Sequence, residues 1–225
     1  MEEVPDGFAW EPTATPAPER TPWEQEDASF PADLFRSWID CLTRPSEFFE
    51  SLDPDAPFAR PYLFFLVAVV LGSGLGALST QAVLGAWTAE YYAAQGVSPP
   101  GPAWALFTFF LSPFVGTMAL ALNTAFVHVG VRLFTERPKP IGMTARTLCY
   151  VAAPQVLALV PFIGWVVAPI WGLVITVIGV QRTHDTTVGR SLAAVLIPPI
   201  VFWFAIGMLF AMLVVFVVLA AGGPA

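Results

Sequence analysis

Residues 200–220 read IVFWFAIGMLFAMLVVFVVLA, from Ile200 to Ala220, 21 positions without a charged side chain. About 20 apolar residues in an α-helix cover the ~30 Å hydrocarbon core of a bilayer. The stretch therefore predicts a membrane-crossing helix on length alone. The whole chain agrees: of 225 residues 56% are hydrophobic and 12% charged, with a mean hydropathy of +0.68. A soluble domain carries about 25% charged residues.

Working back from that helix, Thr147 to Val180 is 34 residues without a charge. One straight helix of that length would run about 51 Å, longer than any bilayer core. It must break, and Pro161-Phe162-Ile163-Gly164 predicts where. The two parts, Thr147 to Val160 and Trp165 to Val180, read either as a tight two-span hairpin, the preferred form, or as a re-entrant loop shielded by protein. Trp104 to Val131 is a further long stretch, interrupted at Pro113, where a kink is expected; Phe114 to Phe134 could cross by itself. Tyr62 to Leu84 supplies the first span. The fold class is all-α, a polytopic membrane bundle of about five transmembrane helices.

Charge divides the chain unevenly. Residues 1–60 hold 14 acidic and 4 basic side chains, whereas 61–225 hold 3 acidic and 6 basic. Nothing here offers the positive stripe that nucleic acid requires. Basic residues cluster before the first span, around Arg132 to Arg146, and before the last span; the Gly85 to Ala103 connection and the Pro161 to Gly164 turn have none. The positive-inside rule then places the amino terminus in the cytosol and the carboxyl terminus outside. Three segments follow. Residues 1–30 are acidic, rich in proline and without the apolar run of a signal peptide, and read as a disordered cytosolic tail with Trp10 and Trp23 as isolated aromatics. Residues 31–60 read as amphipathic helices: Leu34, Phe35, Trp38, Ile39 and Leu42 share one arc, and Phe48, Phe49 and Leu52 another. They lie in the membrane interface, or else pack on the protein's own spans. Residues 61–225 form the transmembrane domain. Cys41 and Cys149 have no disulfide or zinc spacing.

Chemistry inside a membrane needs costly ionisable groups in the spans, since these persist there only for a reason. None falls within a span core on these boundaries. His128 reads as a helix-bonded or interfacial histidine, and His184-Asp185 as a solvated loop pair lacking the ligands of a metal site. Gly72-Ser73-Gly74-Leu75-Gly76 has neither the spacing nor the preceding strand of a phosphate loop, and Leu71 stands where an intramembrane serine protease needs glycine. No catalytic residue, cofactor or metal is expected. Gly72 and Gly76 form instead a small-xxx-small pair for close helix approach, and Pro113, Pro154, Pro161 and Gly164 are hinge or packing candidates.

Several of these residues carry a resemblance. Arg44-Pro45 with Phe48-Phe49, the entry Arg60-Pro61-Tyr62, then Gly142, Thr144, Arg146, Tyr150 and Pro154 leading to Pro161 and Gly164, with Trp171 and the His184 to Arg190 loop, resemble the Ypt/Rab-interacting (YIP) domain of five-span membrane proteins, particularly its prokaryotic members. The resemblance covers roughly Pro45 to Leu213. It implies a cytosolic amino terminus, an all-helical membrane domain and no enzyme activity. For the eukaryotic branch it also implies Rab-type GTPase partners and a part in vesicle formation. Here Asp33-Leu34 is followed by Phe35-Arg36 in place of the Asp-Leu-Tyr-Gly-Pro motif of that branch, which argues against Rab partners. Arginine supplies nine of the ten basic residues, pointing to a GC-rich bacterial genome and a bacterial inner membrane.

Two functional readings follow. The first is a membrane-organising scaffold or adaptor whose partners, beyond the lipid bilayer, are proteins met through the glycine faces or the acidic tail, with a homo-oligomer among the options. The second is a small permease or channel using the broken hairpin 147–180, with Gln155 and Thr176 as its polar residues.

Overall fold

Apolar runs of this length leave the backbone one workable choice in lipid, a helix that satisfies its own hydrogen bonds. In the computed structural model, which describes residues 20–98 and 100–221, all regular structure among the described residues is helical. A 3-10 turn at Pro22–Glu24 precedes α1 (Ala32–Thr43) and α2 (Pro45–Glu50). The first crossing helix is α3 (Ala59–Val69) joined through a π-helical segment, Val70–Gly74, to α4 (Leu75–Ala94). It is followed by α5 (Pro102–Phe134), α6 (Ile141–Val151), a 3-10 helix (Ala153–Leu159), α7 (Ile163–Thr183) and α8 (Val188–Ala221).

Four of these are long and apolar enough to cross a membrane: Ala59–Ala94, Pro102–Phe134, Ile163–Thr183 and Val188–Leu219. A fifth leg is assembled from α6 and the 3-10 helix. At 1.5 Å and 2.0 Å rise per residue those two pieces span about 30 Å, the length of α7 beside them. Thr147 donates to Thr183 at one end of this hairpin, Oγ1 to Oγ1 3.1 Å, and Leu157 and Ala158 meet Gly164 at the other. The turn between the legs passes through Phe162 at φ 66°, a left-handed conformation a bulky residue rarely adopts.

The observed legs start earlier than expected. Thr147 is the expected start because Arg146 ends the uncharged run, yet the helix begins at Ile141 and buries Arg146. A charge ends a span only where no countercharge meets it. The break is also longer than a turn at Pro161: α-helix stops at Val151, Pro154 sits in the first turn of the 3-10 helix, and Pro161 lies in the turn itself. Pro113, by contrast, does not divide α5, which runs through it for 33 residues.

Glycines decide how these pieces stack. A Cβ on Gly72 would collide with the backbone of Gln155, and one on Gly76 would come within 3.1 Å of the Ala158 carbonyl. The small-xxx-small face is thus occupied by the chain's own 3-10 leg, and Ser79 reinforces it by donating to the Leu159 carbonyl at 2.7 Å. Of the two uses expected of the glycine faces, contact between the chain's own spans and contact with a partner protein, this face makes the first. Gly164 lies on the backbone of Leu157, Gly130 of α5 lies on the backbone of Ala194 in α8, and Gly179 leaves room for Thr147 and Phe49. From Ile200 to Leu219 the side chains of α8 are exposed, with Phe202 still meeting Phe126 of α5, as a helix largely solvated by lipid tails requires.

The pre-span segment folds onto the bundle. Leu34, Trp38 and Cys41 of α1 and Phe48 and Phe49 of α2 are buried, packed with Phe64 and Tyr150. Trp38 Nε1 donates to the Ala153 carbonyl at 2.9 Å, a contact only the protein's own spans could offer. The interfacial reading of 31–60 therefore gives way to the packed one for these residues; Phe35 and Ile39 alone of the α1 arc stay exposed. The boundary drawn at residue 31 also moves: Thr21, Trp23 and Glu24 are buried. The part of the tail with Trp10 lies outside the described residues.

Gly72→Ala and Gly164→Ala should each destabilise by about 1–3 kcal/mol through overpacking. Gly172→Ala, with nothing within 4 Å of its would-be Cβ, should stay within about 0.5 kcal/mol of the parent. Reversible unfolding of the purified protein in detergent checks both, and equal effects at all three positions would contradict the packing described.

Candidate functional site

Most of the bonded buried polar residues gather at the end of the bundle where the basic side chains cluster. Two networks form there. In the first, the Arg146 guanidinium and the Glu24 carboxylate pair at 2.9 Å with side chains 4% and 1% exposed. Tyr150 Oη donates to the other Glu24 oxygen at 2.9 Å, and the second Arg146 amino group donates to the Ala56 carbonyl. Phe48 meets the Tyr150 ring edge-on at 4.9 Å and Phe64 lies tilted against it at 4.8 Å. Burial pushes the Glu24 carboxyl above the usual carboxylate range, against the opposing pull of Arg146 and Tyr150. Desolvation thus exceeds the attraction, as is common for buried ion pairs.

Arg60, at the root of the first crossing helix, holds the strand that delivers Glu24. Its guanidinium donates to the carbonyls of Trp23 (2.9 Å), Gln25 and Glu26 (3.1 Å) and lies 5.8 Å from the Trp23 ring centroid. Trp23 answers by donating Nε1 to the Arg60 carbonyl at 2.8 Å, and its backbone N–H to Ser37 Oγ at 2.9 Å. Residues 20–30 are by this means locked to the bundle at both a charge and an aromatic.

The second network joins α5, α6 and the loop after α7. His128 Nδ1 and His184 Nε2 each lie 3.0 Å from Thr144 Oγ1. Lys139 N–H donates to His184 Nδ1 at 3.2 Å, and Arg132 Nε points at His128 Nε2 at 3.4 Å. One tautomer set satisfies every contact: His184 protonated on Nε2 and His128 on Nδ1, both donating to the threonine oxygen. His184 is 1% exposed, so the solvated-loop reading holds only for Asp185, which is exposed and paired with Lys139 at 2.9 Å. Burial, with His128 and Lys139 nearby, pushes the His184 imidazole down to about 4.

In both networks the buried charged and imidazole groups are bonded to other groups of the chain. Among the described residues no three of His, Cys, Asp and Glu converge as metal ligands. Of the residues singled out from sequence, Gly72, Gly76, Pro154, Pro161 and Gly164 meet along the hairpin, while Pro113 stands apart on α5. Sequence reasoning passed over Glu24, met Tyr150 only through the family resemblance, and read His184 as a loop residue. The available signal was Arg146 on the edge of a span, a charge that has to find its partner somewhere.

Removing one member of the ion pair, by Arg146→Met or Glu24→Ala, should cost about 3–5 kcal/mol, whereas the double variant should recover much of it. Denaturation in detergent tests this double-mutant cycle. The His184 imidazole, held neutral in the fold, takes up its proton more readily when unfolded. It therefore removes up to about 3 kcal/mol of stability as pH falls from 6.5 to 4, and Glu24, with its raised pKa, acts with the opposite slope above 4.5. His184→Gln should flatten the acid-side loss, and an unchanged pH profile would contradict the burial.

Searches of curated proteins and of solved structures return no match to this chain. A family model does match: the Yip1 domain, over residues 39–211, well over half of the chain. That range runs from within α1 to within α8 and takes in the whole hairpin, Arg146, Tyr150 and both histidines. The chain is an integral membrane protein of the Yip1 domain family.

Proposed function

We propose that this protein is a non-enzymatic membrane-organising scaffold or adaptor, with its amino terminus in the cytosol and the bacterial inner membrane as its site. The observation that carries the reading is the Glu24–Arg146–Tyr150 network, which holds the head on the bundle. A rigid head fixes the point from which the preceding sequence leaves the membrane. Residues 1–19 carry five acidic and no basic side chains, the composition of a segment that docks on basic partners. The bundle positions and the tail recruits. The competing permease reading draws on the 3-10 leg, which is pinned by Gly72, Gly76 and Gly164 and so gives little support for a moving half-helix.

Because Trp23 and Glu24 belong to the packed body, the informative deletion is 2–19 and not the whole of 1–30. In-cell proximity labelling from the amino terminus should capture a set of soluble cytosolic proteins that the deletion loses while its unfolding midpoint stays unchanged. An identical neighbour set in both forms, or labelling of the outer compartment, would remove this reading. Solute flux in proteoliposomes would reinstate the permease.

A further inference from the structure

Helix α1 is clamped to the bundle along one face only. Leu34, Ser37, Trp38 and Cys41 make that buried face. At about 3.6 residues per turn, Phe35, Ile39 and Leu42 fall on one flank of it, and Asp33, Arg36, Asp40 and Thr43 on the other. The first flank is apolar and open: Phe35 is 64% and Ile39 44% exposed. The second is charged and balanced, since Arg36 pairs with Asp33, and Arg44, at the end of the helix, pairs with Asp40.

The contacts of the buried face set its depth. Cys41 Sγ lies 3.4 Å from the Tyr150 carbonyl oxygen, and Trp38 Nε1 donates to the Ala153 carbonyl at 2.9 Å. These two acceptors stand about 14 and 18 Å along the leg that starts at Ile141. The headgroup layer of one leaflet is about 5–8 Å thick. A leg that enters at the water side of this layer therefore carries α1 beneath it, level with acyl chains. The charged flank fixes the roll of the helix. Arg36, Asp40 and Arg44 line a cleft with Arg20, Thr21 and Gln25, from the strand whose Glu24 meets Arg146 only about 8 Å along the same leg. The charged flank thus faces the headgroups and the apolar flank the hydrocarbon. We propose that Phe35, Ile39 and Leu42 are seated among the acyl chains of the leaflet at the basic end, so that α1 bridges the bundle and the lipid. Balanced charge gives anionic headgroups nothing to hold, and a zwitterionic lipid suffices. This seating does not depend on what residues 1–19 recruit.

Nitroxide labels on the full-length protein in phosphatidylcholine nanodiscs test the assignment, placed by Phe35→Cys, Ile39→Cys, Arg36→Cys and Thr43→Cys, with Leu209→Cys on exposed α8 as the lipid-facing reference. Cys41 and Cys149 are buried and leave the added thiol as the reactive one. The ratio of collisions with oxygen to collisions with a water-soluble nickel chelate should be severalfold higher at 35 and 39 than at 36 and 43, and should approach that at 209. Adding phosphatidylglycerol should leave it unchanged. In the unsubstituted protein, a phosphatidylcholine carrying a diazirine on its acyl chain should form adducts at Phe35 and Ile39. Free access of nickel at 35 and 39 would overturn the proposal, because the flank would then face water. Exclusion of both reagents there, or photoadducts on α8 with none on α1, would overturn it in favour of a protein cover; deletion of 2–19 then tells the tail from a second copy. A high ratio seen only with phosphatidylglycerol would overturn the apolar seating in favour of a charge-held one.

Discussion

A guanidinium can be buried only if its charge is met there, and in this protein Glu24, 122 residues away along the chain, meets Arg146. Much of the architecture at this end follows. The segment that carries Glu24 has to reach the bundle, so Arg60 grips three of its carbonyls and Trp23 is bonded back to Arg60. The head then has to lie flat over α6, and Trp38 and Cys41 hold it there through the carbonyls of Ala153 and Tyr150. Since desolvation outweighs attraction in such a pair, its gain is positional: it specifies where the head docks.

A related constraint governs the hairpin. A 3-10 segment has poorer hydrogen-bond geometry than an α-helix and survives inside a bilayer only where protein covers its backbone. Gly72, Gly76 and Gly164 let neighbouring backbones come close enough to do that. The cost of an irregular leg is offset by contacts no side chain could replace.

The ion pair and the aromatic contacts around Tyr150 hold the head as one piece with the spans.

Length and apolarity alone placed the crossings around Tyr62, Leu120 and Ile200 and the need for a break near Pro161, because the hydrocarbon thickness is a constraint that every span answers by itself. The resemblance to the YIP domain was legible too, since its prolines, glycines and aromatics are local features. What the sequence could not disclose were relations between distant residues. Arg146 looked like a boundary until Glu24 was beside it, His184 like a loop residue until Thr144 and Lys139 surrounded it, and Gly72 like an external face until Gln155 lay on it. Each depends on which surface another part of the chain covers. A one-dimensional reading sees the penalty of a buried group, and only the tertiary structure supplies the partner that meets it.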